Sequence, residues 1–299
     1  MLELKGVIPP LATPVDENEK IDEAGLRRLI DYVIAGGVHS IFVLGSMGEF
    51  DTLPYPERRR TIEVAIDAAG GRVPVVAGIG DTGTAKVIQN GLEAREAGAD
   101  GAVVITPFGV RLASQEAIID FYKEVADAVE FPLIIYDNPR RTQNEIELDT
   151  LLCLAEDERI IAVKDSTGDF RRFMRLIHAA SGRGDFKIFQ GDEQVLDASM
   201  LIGADGFVPG IGSLTPVICV DLYKAGLNGD KQKAFSLQMK LHRIFAIYGP
   251  GYRKAIQGMK CALSLLGICG KTCLRPRLGL SPDEEKAVKQ VLEEEAIIR

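Results

Sequence analysis

Short apolar runs recur along the whole chain and alternate with longer amphipathic stretches. The apolar runs are residues 7–12, 41–44, 73–77, 102–105, 133–136, 160–163, 186–189 and 206–208. Runs of this length that are rich in β-branched residues are typical of strands buried on both faces. The stretches with a helical period include residues 23–35, 56–69, 84–97, 115–129 and 170–179. The pattern therefore predicts eight strands that alternate with helices.

Similar turns connect helix to strand at three joints, residues 35–38, 97–101 and 202–206. Each contains a glycine that can take the left-handed conformation and turn the chain back toward the sheet. Repeated units of this kind favour one α/β fold, a TIM (β/α)8 barrel, over a doubly wound open sheet or two domains. Further helical patterns lie at 216–225, 231–247, 252–266 and 282–296. We expect a barrel over residues 1–228 and a C-terminal helical extension over 229–299, packed on the barrel.

The composition argues against several classes of partner. The formal net charge is −8 and the pI is near 5.1, so the chain offers no basic surface to nucleic acid or to an anionic membrane. No apolar run is long enough to span a membrane, and the N-terminus lacks the pattern of a signal peptide. Five cysteines without a CxxC pair and three scattered histidines predict no zinc-type metal site, and they indicate a cytoplasmic protein with reduced, buried thiols.

One lysine follows a run that should be fully buried. Residues 160–163 precede Lys164, which places its amine at the carboxyl end of the sixth strand, where barrels of this type carry their active sites. Burial disfavours the charged ammonium and leaves neutral amine that can attack a carbonyl and form a Schiff base. The alternative is a lysine whose stem lies along the strand end while its ammonium stays in water.

Two further groups end strands at the same rim. The loop GSMGE, residues 45–49, follows the second strand, and the N–H groups of its first three residues can cradle a carboxylate without a cationic side chain. Tyr136 ends the fifth strand, and its phenol can move protons during carbon–carbon bond cleavage, with Ser46 as a relay. Taken alone, the loop could equally be a glycine-rich turn, and Tyr136 a packed core tyrosine.

A glycine motif at residues 78–83 matches the sequence of a dinucleotide-binding fingerprint but not its usual position in the fold. It reads GxGxxG between a strand and a helix, but it lies in the third βα unit. The acidic residue about 20 positions further on, Asp100, precedes the next strand instead of ending it, so the usual ribose contact is not offered. We therefore do not expect NAD.

Several motifs, in order along the chain, resemble the dihydrodipicolinate synthase and N-acetylneuraminate lyase family of pyruvate-type class I lyases. They are residues 6–10, the loop at 45–49, residues 72–78, 97–101, 106–107, 136–139, Lys164 within Val-Lys-Asp, and Gly191-Asp192. The resemblance extends over the barrel. It implies an (αβ)8 barrel and a homotetramer built as a dimer of dimers.

The resemblance also implies a role for each group at the rim. Lys164 would form a Schiff base with a 2-oxo acid, and Tyr136 would transfer the proton that accompanies bond cleavage. Ser46, together with the amides of Gly45 and Met47, would hold the substrate carboxylate. The implied partner is a small-molecule 2-oxo acid. No metal or organic cofactor is implied, because the imine itself accepts the electrons.

Other positions bear on the choice of substrate. Val208 would offer its backbone carbonyl, and Gly191 would line the same rim. Arg141 matches the arginine with which the synthase branch of the family holds the distal carboxylate of its aldehyde substrate. Met47 replaces a hydroxyl residue usual in that branch, and Gly109 stands where that branch has a tyrosine that reaches the neighbouring subunit's site. The proton relay of that branch is therefore broken in this chain.

The sequence thus predicts a lyase with a lysine Schiff base, of aldolase or dehydratase type. The opening at residues 6–10 and the Gly-Glu-Phe at 48–50 resemble bacterial 2-keto-3-deoxy sugar-acid aldolases, and this resemblance implies a 2-keto-3-deoxy sugar acid, or a related 2-oxo acid, as substrate. A 4-hydroxy-tetrahydrodipicolinate synthase, which condenses pyruvate with aspartate semialdehyde, is the alternative that Arg141 favours. A homo-oligomer that binds a keto acid or sugar acid without turnover is the second alternative, because Met47 and Gly109 both remove catalytic groups.

Overall fold

The computed structural model describes residues 2–298 and contains eight parallel strands that alternate with helices. The strands are β1 Gly6–Val7, β2 Ile41–Val43, β3 Val75–Gly78, β4 Gly101–Ile105, β5 Leu133–Asp137, β6 Ile160–Asp165, β7 Lys187–Gln190 and β8 Gly206–Phe207. The helices are α1 Glu23–Ala35, α2 Tyr55–Ala69, α3 Thr84–Glu96, α4 Gln115–Val129, α5 Pro139–Thr142, α6 Leu148–Leu154, α7 Phe170–Ala179, α8 Leu196–Leu201, α9 Pro216–Leu227, α10 Lys231–Ile244, α11 Ala255–Leu265 and α12 Pro282–Glu294. The predicted TIM (β/α)8 barrel with a C-terminal helical part is confirmed.

The barrel closes between β1 and β2. Hydrogen bonds join the strands in the order β1-β8-β7-β6-β5-β4-β3-β2, which leaves these two at the ends. Pro10 and Phe42 form a parallel bridge between the ends, and the Phe42 N–H donates to the Pro9 carbonyl at 3.1 Å. The predicted first strand, which ran to residue 12, was too long, since β1 ends at Val7. Pro9 and Pro10 have no N–H to donate, so the ladder stops and only the bridge continues.

Local sequence signals account for the ends of the helices. Asp22 and Ser114 cap α1 and α4, each accepting an N–H group from the first turn. The predicted glycine joints are confirmed, because φ is +85° at Gly37, +93° at Gly98 and +98° at Gly203. A positive φ is strained for residues with a Cβ, so glycine allows the sharp return from each helix to the next strand.

Three helices, α10 to α12, follow the last helix of the barrel. The helices predicted at 231–247 and 252–266 were too long, since α10 ends at Ile244 and α11 begins at Ala255. Two 3₁₀ turns occupy the chain between them. The region after α11 reaches back to the barrel, where Arg28 of α1 donates from Nε to the Ile268 carbonyl at 2.7 Å.

The strands are buried almost throughout, and their side chains form one continuous apolar core with the inner faces of the helices. Within residues 2–298, no helix combines the length and the apolar character that crossing a membrane requires. The expectation of buried thiols is confirmed for three cysteines, Cys219, Cys261 and Cys269. It was wrong for Cys153, which is exposed, and Cys273 is only partly buried. Cys153 lies on the outer side of α6, whose buried residues are Thr150, Leu151 and Leu154.

Candidate active site

Lys164 lies within β6, because the ladder continues to Asp165. All six residues of this strand are buried, and Lys164 is 4% exposed. The Lys164 Nζ lies 4.0 Å from the centre of the Tyr136 ring and 5.3 Å from that of Phe42. The alternative of an ammonium held in bulk water does not fit this burial.

Apolar side chains close the barrel beneath the amine. Together with Lys164 they enclose a space of about 10 Å³ lined by Leu4, Ile8, Phe42, Val76, Val103, Ile134, Phe189 and Val208. A space of this size holds one water molecule at most. Access to the amine is therefore from the carboxyl ends of the strands. Val208, predicted as a carbonyl contact, adds its side chain to this floor, and its N–H donates to the Gln190 carbonyl at 2.8 Å.

Tyr136 is the register partner of Lys164 and links it to the loop after β2. The phenol oxygen lies 3.3 Å from Ser46 Oγ and accepts a hydrogen bond from Asn138 Nδ2 at 3.0 Å. Burial raises the pKa of Tyr136, but the Lys164 charge and the hydrogen bonds outweigh burial, so the pKa lies below its ordinary value of 10.0. The structure thus brings Lys164, Tyr136 and Ser46 together at one rim.

The loop after β2 is a tight turn with free amides. Leu44 enters it with a φ of +58°, which is uncommon for a residue with a side chain. The Gly45 carbonyl accepts the Gly48 N–H at 2.9 Å and closes the turn. The N–H groups of Ser46 and Met47 donate to no acceptor within residues 2–298. Free amides in such a turn are suited to hold an anion.

Glu49, the last residue of this loop, is anchored from behind by the C-terminal region. Its carboxylate lies 2.5 Å from Nζ of Lys260 in α11, and neither side chain is exposed. The same carboxylate accepts the Leu274 N–H at 3.0 Å. Lys260 also donates to the Thr272 carbonyl at 2.8 Å. The C-terminal helices therefore support the loop that carries the free amides.

Replacing Lys260 with methionine should destabilise the fold by about 3–5 kcal/mol, because the buried Glu49 carboxylate would lose its closest cation. Lys289→Met is a matched control, since Lys289 pairs with Glu293 at 3.5 Å on α12, where both side chains are largely exposed. A pair of that kind contributes about 0.3–0.5 kcal/mol. Denaturant unfolding measures both effects. Equal destabilisation by the two substitutions would contradict the anchoring role of Lys260.

Arg141 and Gly191, predicted as substrate-binding residues, lie in different environments. Arg141 Nη2 is 2.6 Å from Asp51 Oδ2, and its guanidinium lies 5.1 Å from the centre of the Phe50 ring. A substrate carboxylate would have to compete with Asp51 for this guanidinium. The Gly191 N–H donates to the Asp165 carbonyl at 2.7 Å, which places Gly191 at the rim between β6 and β7.

Two polar residues of this region were missed in the sequence. Asn138, bonded to Tyr136, had a signal, because it lies directly beyond the fifth strand. Glu193 follows the seventh strand, and its Oε1 accepts the Ile211 N–H at 2.5 Å. Burial raises the pKa of Glu193 to about 7, although the Ile211 N–H and the Lys164 charge act in the opposite direction. The sequence signal for Glu193 was its position after a strand. A glutamate at that position gave no further indication of a role in the site.

A wider cleft of about 620 Å³ lies elsewhere, between residues 17–19 and 271–280. It is lined by both charged and apolar side chains and contains none of the three residues that meet at the rim. Within residues 2–298, no group of three or more His, Cys, Asp or Glu side chains is arranged to hold a metal ion. The reactive side chains that meet at the rim of the barrel, and not the size of a cleft, therefore identify the rim as the candidate active site.

Comparisons with known proteins show the family to which this chain belongs. A profile of the dihydrodipicolinate synthetase family matches residues 3–295. A 4-hydroxy-tetrahydrodipicolinate synthase from Phenylobacterium zucineum is 36% identical over 294 residues, which cover 96% of this chain and 95% of that protein. An uncharacterised DapA-like lyase from Halobacterium salinarum is 34% identical over 288 residues, which cover 96% of this chain and 93% of that protein.

Solved structures give the same result. YagE from E. coli K12, a prophage protein of the dihydrodipicolinic acid synthase family crystallised in complex with pyruvate, matches with a TM-score of 0.93 and 30% identity. The match covers 99% of this chain and 100% of that chain. The chain therefore belongs to the dihydrodipicolinate synthetase family, whose members are lyases.

Proposed function

We propose that this protein is a class I lyase in which Lys164 forms a Schiff base with pyruvate or another 2-oxo acid. The observation that carries the proposal is the meeting of the Lys164 amine, the Tyr136 phenol and the Ser46 hydroxyl at one rim. Family membership supports the proposal. The complex of YagE with pyruvate supports the choice of a 2-oxo acid.

The first step joins the enzyme to its substrate. The neutral Lys164 amine adds to the C2 carbonyl, and the carbinolamine then loses water, so that an imine replaces the carbonyl. The two free amides of the loop, from Ser46 and Met47, hold the substrate carboxylate next to this carbon. The apolar floor beneath Lys164 limits competing reactions with water.

The second step breaks the bond between C3 and C4 of a 4-hydroxy-2-oxo acid. Tyr136, as phenolate, takes the proton from the C4 hydroxyl, and the electrons of the broken bond move into the protonated imine to give a neutral enamine and a free aldehyde. Protonation of the enamine at C3 and hydrolysis of the imine release pyruvate and restore Lys164. The lowered pKa of Tyr136 and its contact with Ser46 support this proton transfer.

The mouth of the barrel favours a hydroxylated substrate. Glu193 is partly buried there, with a pKa that burial raises to about 7, and its carboxyl group can form hydrogen bonds with substrate hydroxyl groups. Arg141 is already paired with Asp51, which Arg277 also contacts at 3.5 Å, so a substrate carboxylate would compete with Asp51 for Arg141. Gly109 provides no side chain for the relay of the synthase branch. We therefore propose a 2-keto-3-deoxy sugar acid, or a related 2-oxo acid, as the substrate in an aldolase or dehydratase reaction.

Borohydride reduction in the presence of pyruvate tests the proposal. Mass spectrometry of the digested protein should find a reduced pyruvyl group on Lys164 and on no other lysine. A screen of 2-oxo acids for released pyruvate then identifies the substrate. Absence of the adduct at Lys164 under turnover conditions would overturn the proposed function.

A 4-hydroxy-tetrahydrodipicolinate synthase is the second candidate, favoured by Arg141 and by the relative from Phenylobacterium zucineum. It requires efficient condensation of pyruvate with aspartate semialdehyde. Turnover of this pair at a rate well above that of every sugar acid would replace the first candidate by the second.

We also propose a cytoplasmic homotetramer, assembled as a dimer of dimers, from the resemblance to the family. In this proposal residues 1–228 form the barrel unit and residues 229–299 the C-terminal helical unit. Light scattering should give four times the chain mass of 32.5 kDa. A stable dimer or monomer would contradict the tetramer without affecting the proposed chemistry.

A further inference from the structure

Arg172, in α7, joins the two residues that directly follow Tyr136 and Lys164. Its Nη1 lies 2.5 Å from Asp165 Oδ2, and its Nη2 lies 2.6 Å from Asp137 Oδ2. The side chains of both aspartates are at most 2% exposed, and that of Arg172 is 10% exposed. Three buried charged groups thus meet on the outer face of the barrel, one residue beyond the candidate catalytic pair.

The register of β5 and β6 explains this arrangement. Tyr136 faces Lys164 across the ladder, and Asp137 faces Asp165 at the next position. Because successive side chains of a strand point to opposite faces, the first pair points into the barrel and the second pair points to the helices. Arg172 therefore binds the helix-facing side of the same two strand ends that carry the phenol and the amine.

The two aspartates would repel each other without the guanidinium. Burial raises the pKa of Asp137 to about 7 and also raises the pKa of Asp165, although Arg172 opposes both shifts. Oδ1 of Asp137 has no hydrogen-bond partner in the described part of the chain, so its other oxygen, bonded to Arg172, holds this carboxyl. The other titratable groups that face the two aspartates are Tyr122, Glu145 and Asp169.

Arg172 also reaches a third segment. Its Nη2 donates to the Ile146 carbonyl at 2.6 Å, in the connection between α5 and α6. Backbone hydrogen bonds already hold the ladder, since the Ser166 N–H donates to the Asp137 carbonyl at 2.8 Å. These backbone bonds determine which residues of β5 and β6 are paired. The guanidinium acts on the distance between the two strand ends and on their rotation.

We propose that Arg172 is a positioning residue, which fixes the spacing of the Tyr136 phenol and the Lys164 amine by binding Asp137 and Asp165 together. Its effect on turnover rests on the proposed function, whereas its effect on geometry does not. A planar guanidinium with two fixed N–H directions is suited to this task, and a flexible ammonium is not.

Arg172→Met tests the proposal by kinetics. We expect kcat to fall about 100-fold, because a displacement of about 1 Å between reacting groups costs about that much, while KM stays within about threefold. The rate at which borohydride traps the pyruvate imine should fall as well. Arg172→Lys should recover only part of the rate. Arg159→Met is a matched control, since Arg159 pairs with Asp157 and Asp127 beside the opposite end of β6.

A neutral variant separates positioning from simple charge balance. Arg172→Met combined with Asp137→Asn and Asp165→Asn removes both the repulsion between the two carboxylates and their ion pairs with Arg172. We therefore expect normal folding but slow turnover. Full recovery of kcat in this variant would overturn the proposal, because it would assign to Arg172 only the neutralisation of buried charge.

Crystal structures of the wild type and of Arg172→Met give a readout that does not depend on activity. We expect the distance from the Tyr136 hydroxyl to the Lys164 amine to change by about 1 Å, the scale on which catalytic alignment is lost. An unchanged distance would overturn the proposal. If the wild type traps no pyruvate but this distance still changes, the proposed function fails and the positioning role stands.

Discussion

Replacing Lys164 with alanine should abolish turnover, with a loss in kcat of at least about 10⁴-fold, because the substitution removes the amine that would form the imine beside Tyr136. The borohydride adduct with pyruvate should disappear at the same time. The amine is buried next to Tyr136, where the proposed chemistry takes place. Steady-state assays of pyruvate release and mass spectrometry measure the two losses.

Two further variants control this result. Lys164→Arg keeps a positive charge but cannot form an imine, so it should be as inactive as Lys164→Ala. Lys187→Ala removes a lysine at the start of the neighbouring β7, where it pairs with Asp205 at 3.2 Å, and it should keep its activity. If the wild type shows turnover and Lys164→Ala does not, the alternative of a protein that binds its ligand without reaction is excluded as well. Retained turnover in Lys164→Ala would contradict the Schiff-base mechanism.

Tyr136→Phe should lower kcat by about 10²–10⁴-fold, the usual contribution of a positioned proton-transfer group. KM should change little, because the phenol moves a proton and does not hold the carboxylate. Pyruvate should still be trapped on Lys164, so the substitution separates imine formation from bond cleavage. Single-turnover kinetics with a 4-hydroxy-2-oxo acid measures the cleavage step directly.

Tyr122→Phe is the matched control for this substitution. Tyr122 is also a fully buried tyrosine, but its hydroxyl donates to the Val104 carbonyl at 3.0 Å, away from the amine. Its loss should lower stability by about 0.5–1.5 kcal/mol and leave kcat unchanged. If Tyr136→Phe and Tyr122→Phe reduced kcat equally, Tyr136 would have only a packing role.

The comparison of sequence and structure separates local signals from distant ones. The apolar runs at 133–136 and 160–163 correctly located β5 and β6, because burial on both faces leaves an uninterrupted apolar pattern. The first strand was overestimated, since an apolar run that contains Pro9 and Pro10 remains apolar although it cannot form ladder bonds. Lys164 was expected after its strand and lies inside it. The apolar pattern ends before the polar residues at the end of the strand, although the hydrogen-bond ladder continues through them.

The residues around the candidate site divide in the same way. Lys164, Tyr136 and Ser46 could be chosen from the sequence, because Tyr136 ends an apolar run, Lys164 directly follows one, and Ser46 lies in the loop after another. Contacts between distant segments around the site could not. Glu49 and Leu274 meet across 225 positions of chain, and Arg141 meets Asp51 across 90, with no periodic pattern to connect either pair.

By itself, the sequence determined the barrel, its alternating elements and the chemistry of the rim, because these follow from the period of apolar positions and from residues next to strand ends. Only the tertiary structure decided that Tyr136 faces Lys164, that Arg172 joins the residues behind them, and that Lys260 anchors the loop. These features depend on strand register and on packing between distant segments. The physical reason is that register and packing are set by the whole folded chain, whereas hydrophobic periodicity is set by neighbouring residues.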